Sequence, residues 1–151
     1  RAVERTINTQ LPDFEAPVIK TYSLESTIAE KFDAILQRFE LTGRMKDFYD
    51  IYYLSRVFDF EGSKLQAAIF ETLQRRGTPY DRDSFKRVVA RADDEDMQKR
   101  WKFFLKTIKD NTLEFSFVID EIQTFLEPVF DAIVNEDECR NRWDTKVKGW
   151  R

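Results

Sequence analysis

Histidine does not occur in this chain. A Ser-His-Asp triad, a Cys-His pair, histidine metal ligation and histidine-dependent ribonuclease chemistry all need an imidazole, so none can operate within it. Catalysis would have to use carboxylates, lysine, arginine, tyrosine or a carboxylate-bound metal. Cysteine occurs once, as Cys139. Neither an intrachain disulfide nor a cysteine zinc cluster can form, and a free thiol fits a reducing, cytoplasmic compartment. No apolar run reaches bilayer-spanning length and no signal-peptide pattern is present, so no membrane partner is expected. Positive charge is not in excess either. A net charge of -3 argues against a globally basic nucleic-acid binder and leaves local basic patches open. Internal repeats and low-complexity segments are missing.

What is present points to a helical protein with a real core. The chain has 151 residues, 42% hydrophobic and 15% aromatic, enough for one domain or a large piece of one and too apolar for disorder. It opens on Arg1 rather than Met and runs directly into structured-looking sequence, so further residues are expected upstream. Residues 1–22 lack helical periodicity. Their β-branched and aromatic stretch Val18-Ile19-Lys20-Thr21-Tyr22 is the best strand candidate, and Arg5-Thr6-Ile7-Asn8-Thr9 a weaker one. Two short strands are marginal alone, so residues 1–22 read as the remnant of an N-terminal sheet domain.

From residue 23 the pattern turns helical. Ser23 is a natural N-cap for a helix from 24 to about 39, carrying Leu24, Ile28, Phe32, Ile35, Leu36 and Phe39 at a 3.6-residue period. Gly43 breaks the chain, and a second helix should span roughly 44–58. A third should run from Gly62-Ser63 to Arg76, where Arg75-Arg76-Gly77-Thr78-Pro79 is a stop signal. A short helix is expected from Asp83 or Ser84. The acidic cluster Asp93-Asp94-Glu95-Asp96 precedes a strong helix on Met97, Trp101, Phe104, Leu105 and Ile108, and reads as a dipole partner rather than a metal site. A last long helix should cover about 114–134, with Pro128 expected to kink it. Residues 135–151 are polar and should form a loose tail or a short helix. The expected fold is mainly α (α+β): a helical bundle over residues 23–134, with one or two short N-terminal strands.

Three charged residues intrude on the apolar faces. Lys31 lies on or beside the stripe of the first helix. Asp47 and Asp50 head the stripe that continues through Ile51, Leu54 and Phe58 in the second. Charges aimed at a core are expensive unless paired or needed. Lys31 is therefore either a lysine whose stem packs on Ile28 and Ile35 while its ammonium reaches water, or a phosphate-contacting lysine at the rim of a cleft. Asp47 and Asp50 are either part of an ion-pair network with Arg44, Lys46 or Lys31, or carboxylates lining a site for metal and phosphate. Glu30 reads as a surface or ion-pair residue. Tyr49, Tyr52 and Tyr53 could stack bases, although at helical spacing such residues are usually core.

Ala29-Glu30-Lys31, followed by Arg44-Met45-Lys46-Asp47-Phe48-Tyr49-Asp50-Ile51, resembles the C-terminal part of the AbiEii-type nucleotidyltransferases, toxins of abortive-infection toxin–antitoxin pairs. In that family an Ala-Glu-Lys helix precedes an Arg-x-Lys-Asp-x-x-Asp-Leu helix; Ile51 replaces the leucine here. Phe58-Asp59-Phe60-Glu61-Gly62, Gln74-Arg75-Arg76-Gly77-Thr78-Pro79 and Trp101-Lys102-Phe103-Phe104-Leu105 also look like the family, and the likeness covers roughly residues 10–134.

The resemblance implies a polymerase-β-like enzyme that uses Mg²⁺ and an NTP, with a tRNA acceptor end as acceptor in some members and an antitoxin as partner. It implies that Lys31 contacts nucleotide phosphates and that Asp47 acts in the cleft as a base, metal-shell or positioning carboxylate. Lys46, Asp50, Arg44 and Glu30 would bind or support. The Gly-Gly/Ser and Asp-x-Asp motifs that hold NTP and Mg²⁺ in the family have no counterpart in a strand context here, and Asp81-Arg82-Asp83 falls in a loop. The chain alone is expected to be inactive and to bind no metal. The rival reading is a non-catalytic helical interaction module that binds an antitoxin or another protein.

Overall fold

The first helix begins where a serine can cap it. In the computed structural model, which describes residues 23–42 and 44–151 and all their side chains except those of 38–42, Ser23 Oγ accepts a hydrogen bond from the Ser26 N–H at 3.0 Å. That satisfies one of the donors a helix start leaves open. The strands expected within residues 1–22, the Phe39 side chain and Gly43 lie outside the described residues.

Helix α1 spans Leu24–Thr42, three residues beyond the expected end near residue 39. Glu40 and Leu41 are good helix formers, and no breaker precedes position 43. Helix α2 spans Met45–Val57, with Arg44 and Phe58 as its caps. Its buried face contains Asp47 and Asp50 together with Phe48, Ile51 and Leu54, so the apolar stripe does carry both carboxylates inward.

A two-residue strand β1, Phe60–Glu61, leads into α3, Gly62–Arg76. The stop signal after Arg76 works as its chemistry suggests. Gly77 adopts a left-handed conformation at φ 63°, and the Thr78 N–H bonds back to Leu73 O at 3.0 Å, the pattern that closes many helix ends. At the other end Gly62 is required for space. A Cβ there would lie 2.6 Å from Cys139 Sγ and 2.7 Å from Asn141 O.

Helix α4, Ser84–Val89, buries Phe85 and Val88. A 3-10 turn, Ala90–Asp93, connects it to α5, Glu95–Thr107, where Asp94 accepts from the Met97 N–H and Met97, Trp101 and Leu105 face inward. The acidic cluster thus serves as a helix cap. The last helix, α6, Phe115–Asn135, continues through Pro128 and is the most apolar of the six. Its ten buried residues, among them Val118, Ile122, Phe125, Leu126 and Phe130, make it the central post. It packs against α2, α3 and α4, and α1 packs against α3, α2 and α4.

The polar tail expected after residue 134 is neither loose nor helical. Strand β2, Arg142–Asp144, pairs antiparallel with β1 (Trp143 opposite Phe60) and with β3, Gly149–Trp150 (Trp143 opposite Trp150). Two indoles drive this. Trp143 is buried and donates from Nε1 to Ser55 O at 2.7 Å. Trp150 donates to Phe125 O at 3.0 Å. Both rings pack on Phe125, at 4.8 Å and 6.1 Å between centroids. Large apolar area and satisfied N–H groups outweigh the polar residues between them. No helix among the described residues is long and apolar enough to cross a membrane.

Trp143→Ala is therefore expected to cost about 3–5 kcal/mol of unfolding free energy in a urea titration. A change below about 0.5 kcal/mol, the size typical of surface positions, would show that the tail is not integral to the core.

Candidate functional site

Along α1, one turn presents Glu30, Lys31, Asp33 and Ala34 toward the start of α2 and the end of α3. A cleft of about 320 Å³ opens there, lined also by Arg44 and Asp47 from one side and Arg76 from the other. Lys31 reaches across to α2. Its Nζ lies 2.7 Å from Asp50 Oδ2 and 3.7 Å from Asp47 Oδ1. Asp50 Oδ2 also receives Lys46 Nζ at 3.0 Å, one helical turn away. Arg44 Nε sits 3.0 Å from Asp47 Oδ2.

The two aspartates are fully or almost fully buried, Lys31 mostly so, and Arg44 and Lys46 are exposed. The shared environment leaves two acceptors unused: neither Asp47 Oδ2 nor Asp50 Oδ1 accepts a hydrogen bond among the described residues. Arg44 is close to the first of these, but its N–H is not aimed along a hydrogen bond. Burial raises the Asp47 carboxyl above the ordinary range. Lys31 and Arg44 oppose that shift, and the neighbouring Asp50 charge adds to it.

From sequence, Arg75 and Arg76 read as cations matched to a helix C-terminus, with contact to RNA phosphates as the alternative; in the structure both pair with Glu30 on α1. Arg76 Nε donates to Glu30 Oε1 at 2.7 Å and lies 3.8 Å from Asp33 Oδ2. Thr78 Oγ1 donates to Asp33 Oδ1, and both residues are buried. The Arg-Arg-Gly-Thr turn thus clamps two carboxylates of α1, and Arg76 and Asp33 line the cleft. Asp33 follows Glu30 at i+3, a spacing that could have disclosed it.

Of the residues singled out from sequence, the structure places Glu30, Lys31, Arg44 and Asp47 on the cleft. Asp50 and Lys46 stand behind it, tied to Lys31 through Asp50 Oδ2. Asp81-Arg82-Asp83 is a turn: Asp81 Oδ1 accepts from the Asp83 N–H at 2.8 Å and pairs with Arg87 in the last turn of α4. Tyr49, Tyr52 and Tyr53 are half-buried and pack on the core, Tyr49 against Phe104 and Tyr52 against Phe117. Cys139 is buried, its thiol pushed up by that burial.

Among the described residues no three carboxylate or cysteine side chains converge as a metal site. Each cation on the cleft faces a carboxylate: Lys31 and Arg44 face Asp47, and Arg76 faces Glu30 and Asp33. The carboxylates are thus engaged by cations and present no open ligand set for the Mg²⁺ that the sequence resemblance implies.

The described residues thus form a helical bundle with a cleft lined by paired cations and carboxylates. A family model described as the nucleotidyl transferase AbiEii toxin, of a type IV toxin–antitoxin system, matches residues 1–136, and the chain belongs to that family. No curated protein and no solved structure shows significant similarity to the chain.

The raised Asp47 carboxyl has a consequence for stability. A carboxyl whose folded value is raised contributes stability that is present below the unfolded value, 3.8, and lost as pH climbs through the folded value. Asp47→Asn removes that loss. The unfolding free energy of the variant relative to wild type should therefore rise as pH climbs from 3.8 through the folded value. A relative stability that falls over this window would mean that Lys31 and Arg44 overcome the burial.

Proposed function

We propose that the chain is the helical part of a nucleotidyltransferase that moves a nucleoside monophosphate from an NTP to an acceptor hydroxyl, the acceptor being a tRNA end. In this reading it acts as the toxin of a toxin–antitoxin pair, with a cognate antitoxin as partner. The observation that carries the proposal is the convergence of Lys31, Arg44 and Arg76 with Asp47 on one cleft, in a chain of the AbiEii family.

The chemistry follows from the residues. An NTP brings several negative charges, and transfer adds charge to the leaving pyrophosphate. Fixed cations at the cleft lower that cost. Lys31 serves as a compact point charge, held in place by Asp50 on α2, while Arg44 and Arg76 offer planar forks suited to phosphate oxygens. The acceptor oxygen forms a bond to the α-phosphorus as the bond to pyrophosphate breaks. The acceptor proton passes to Asp47, whose Oδ2 has no hydrogen-bond donor and whose raised affinity for a proton makes it a better base than a surface aspartate. Asp50 and Lys46 position this group without touching substrate.

Mg²⁺ would neutralise phosphate charge in such a reaction, and among the described residues no group of three carboxylates converges to hold it. The Gly-Gly/Ser and Asp-x-Asp block expected to hold it has no counterpart in a strand context in this sequence. In this reading the chain binds and orients the nucleotide and supplies Asp47 as base, and does not complete the transfer alone.

Lys31→Ala and Asp47→Ala in the intact protein should each abolish incorporation of labelled NTP into an RNA pool, with far-ultraviolet circular dichroism unchanged. Normal incorporation by both variants would sink the assignment. Loss of the folded signal in both would instead mark the network as structural.

A further inference from the structure

One face of α5 turns away from the core and carries charge of a single sign. Lys99, Lys102 and Lys106 are exposed along it, and Lys109 follows just beyond the helix end. At 3.6 residues per turn these positions share about a third of the helix circumference with Phe103. The buried Met97, Trp101 and Leu105 occupy the opposite side. None of the four lysines makes an ion pair among the described residues, whereas Arg100, on a different face, pairs with Asp96 at 2.9 Å. Glu95, in the first turn, is the one carboxylate that α5 itself adds to this side.

Phe103 stands among these cations at 72% exposure, the highest of any large apolar side chain among the described residues. Beside it a second pocket of about 320 Å³ opens between α5 and the start of α6, lined in part by Trp101, Lys102, Lys106 and Phe115. Two carboxylates, Asp110 and Glu114, also reach this pocket. Asp110 is engaged by the Thr112 N–H at 2.8 Å.

We infer that this face is a docking surface for single-stranded RNA, with phosphates on the lysines and bases against Phe103 and in the adjoining pocket. Unpaired lysines three and four residues apart lie about 4.5–6 Å apart along the axis, from a rise of about 1.5 Å per residue. A partly extended strand can match that spacing, because its stacked repeat is about 3.4 Å. An acidic protein would be met by the charges alone. A single strand uses the charges and the interleaved planar surface together, and base–aromatic stacking needs a ring as open as Phe103. The surface shares no residue with the cleft on α1, and the inference does not depend on nucleotidyl transfer.

The test is fluorescence anisotropy of a labelled mixed-sequence single-stranded RNA titrated with the full chain across a salt series. The reversal K102E/K106E should weaken binding at least tenfold. It should also flatten the slope of log affinity against log salt by about 1.4, the change for two lost phosphate contacts. Phe103→Ala should weaken binding at least fivefold with the slope unchanged. K146E/K148E, which makes the same charge change on exposed lysines of the C-terminal hairpin, should have less than a twofold effect. Undetectable binding by the wild-type chain, unchanged affinity in K102E/K106E, or an equal loss in K146E/K148E would overturn the inference. So would a loss of polyglutamate binding in K102E/K106E with RNA affinity intact, which would assign the face to an acidic protein.

Discussion

The contact on which the cleft depends is the ion pair of Lys31 with Asp50, 2.7 Å apart in the seam between α1 and α2. Asp50 is wholly buried, and its solvation loss is several kcal/mol that a single lysine does not fully offset. The structure supplies a second lysine, Lys46, to the same oxygen, and still leaves the other oxygen without a donor. Asp47, one turn earlier, repeats the pattern with Lys31 and Arg44. A bundle seeking stability alone would place leucines here. Charges retained at such cost, bordering a cleft, are the form that perturbed functional groups take.

Everything else in the architecture keeps this seam fixed. Helix α6 supports α2 from behind with its apolar face. Trp143 and Trp150 close that side by hydrogen-bonding to Ser55 O and Phe125 O. On the far side of α1, the turn after α3 grips Glu30 and Asp33 through Arg75, Arg76 and Thr78. Lys31 thus sits on a helix held on both flanks by charge pairs. The same pairs hold the cleft cations in fixed positions, which is the preorganisation that the proposed electrostatic role requires.

The helices were readable because their apolar residues recur at a period the backbone enforces: Leu65, Ile69 and Leu73 in α3, and Val118, Ile122 and Leu126 in α6, are all buried. Local chemistry marked the ends, with Ser23, Gly77 and Asp94 each filling the capping role that its side chain or backbone favours. Residues whose purpose is set by distant partners were less visible. The hairpin of residues 142–150 depends on Phe60 and Phe125 far back in the chain, so its two tryptophans looked like isolated rings in a polar tail. Arg76 has a sufficient local explanation as a helix-ending arginine, and its pairing with Glu30 and Asp33 shows only when α1 is seen beside it. The convergence of Lys31 with Asp47 and Asp50 was visible as an anomaly of patterning, but only the fold shows that they meet.

A buried pair kept for anion handling and one kept for stability respond differently to loss of both charges, and one doubly substituted chain separates the two. In Lys31→Met with Asp50→Leu both charges of the pair leave together, Asp47 keeps Arg44, and the exposed Lys46 turns to solvent. For anion handling, unfolding free energy should stay within about 1 kcal/mol of wild type, or exceed it, and inorganic triphosphate binding by isothermal titration calorimetry should be lost. A drop of several kcal/mol, or triphosphate affinity equal to wild type, would contradict that role.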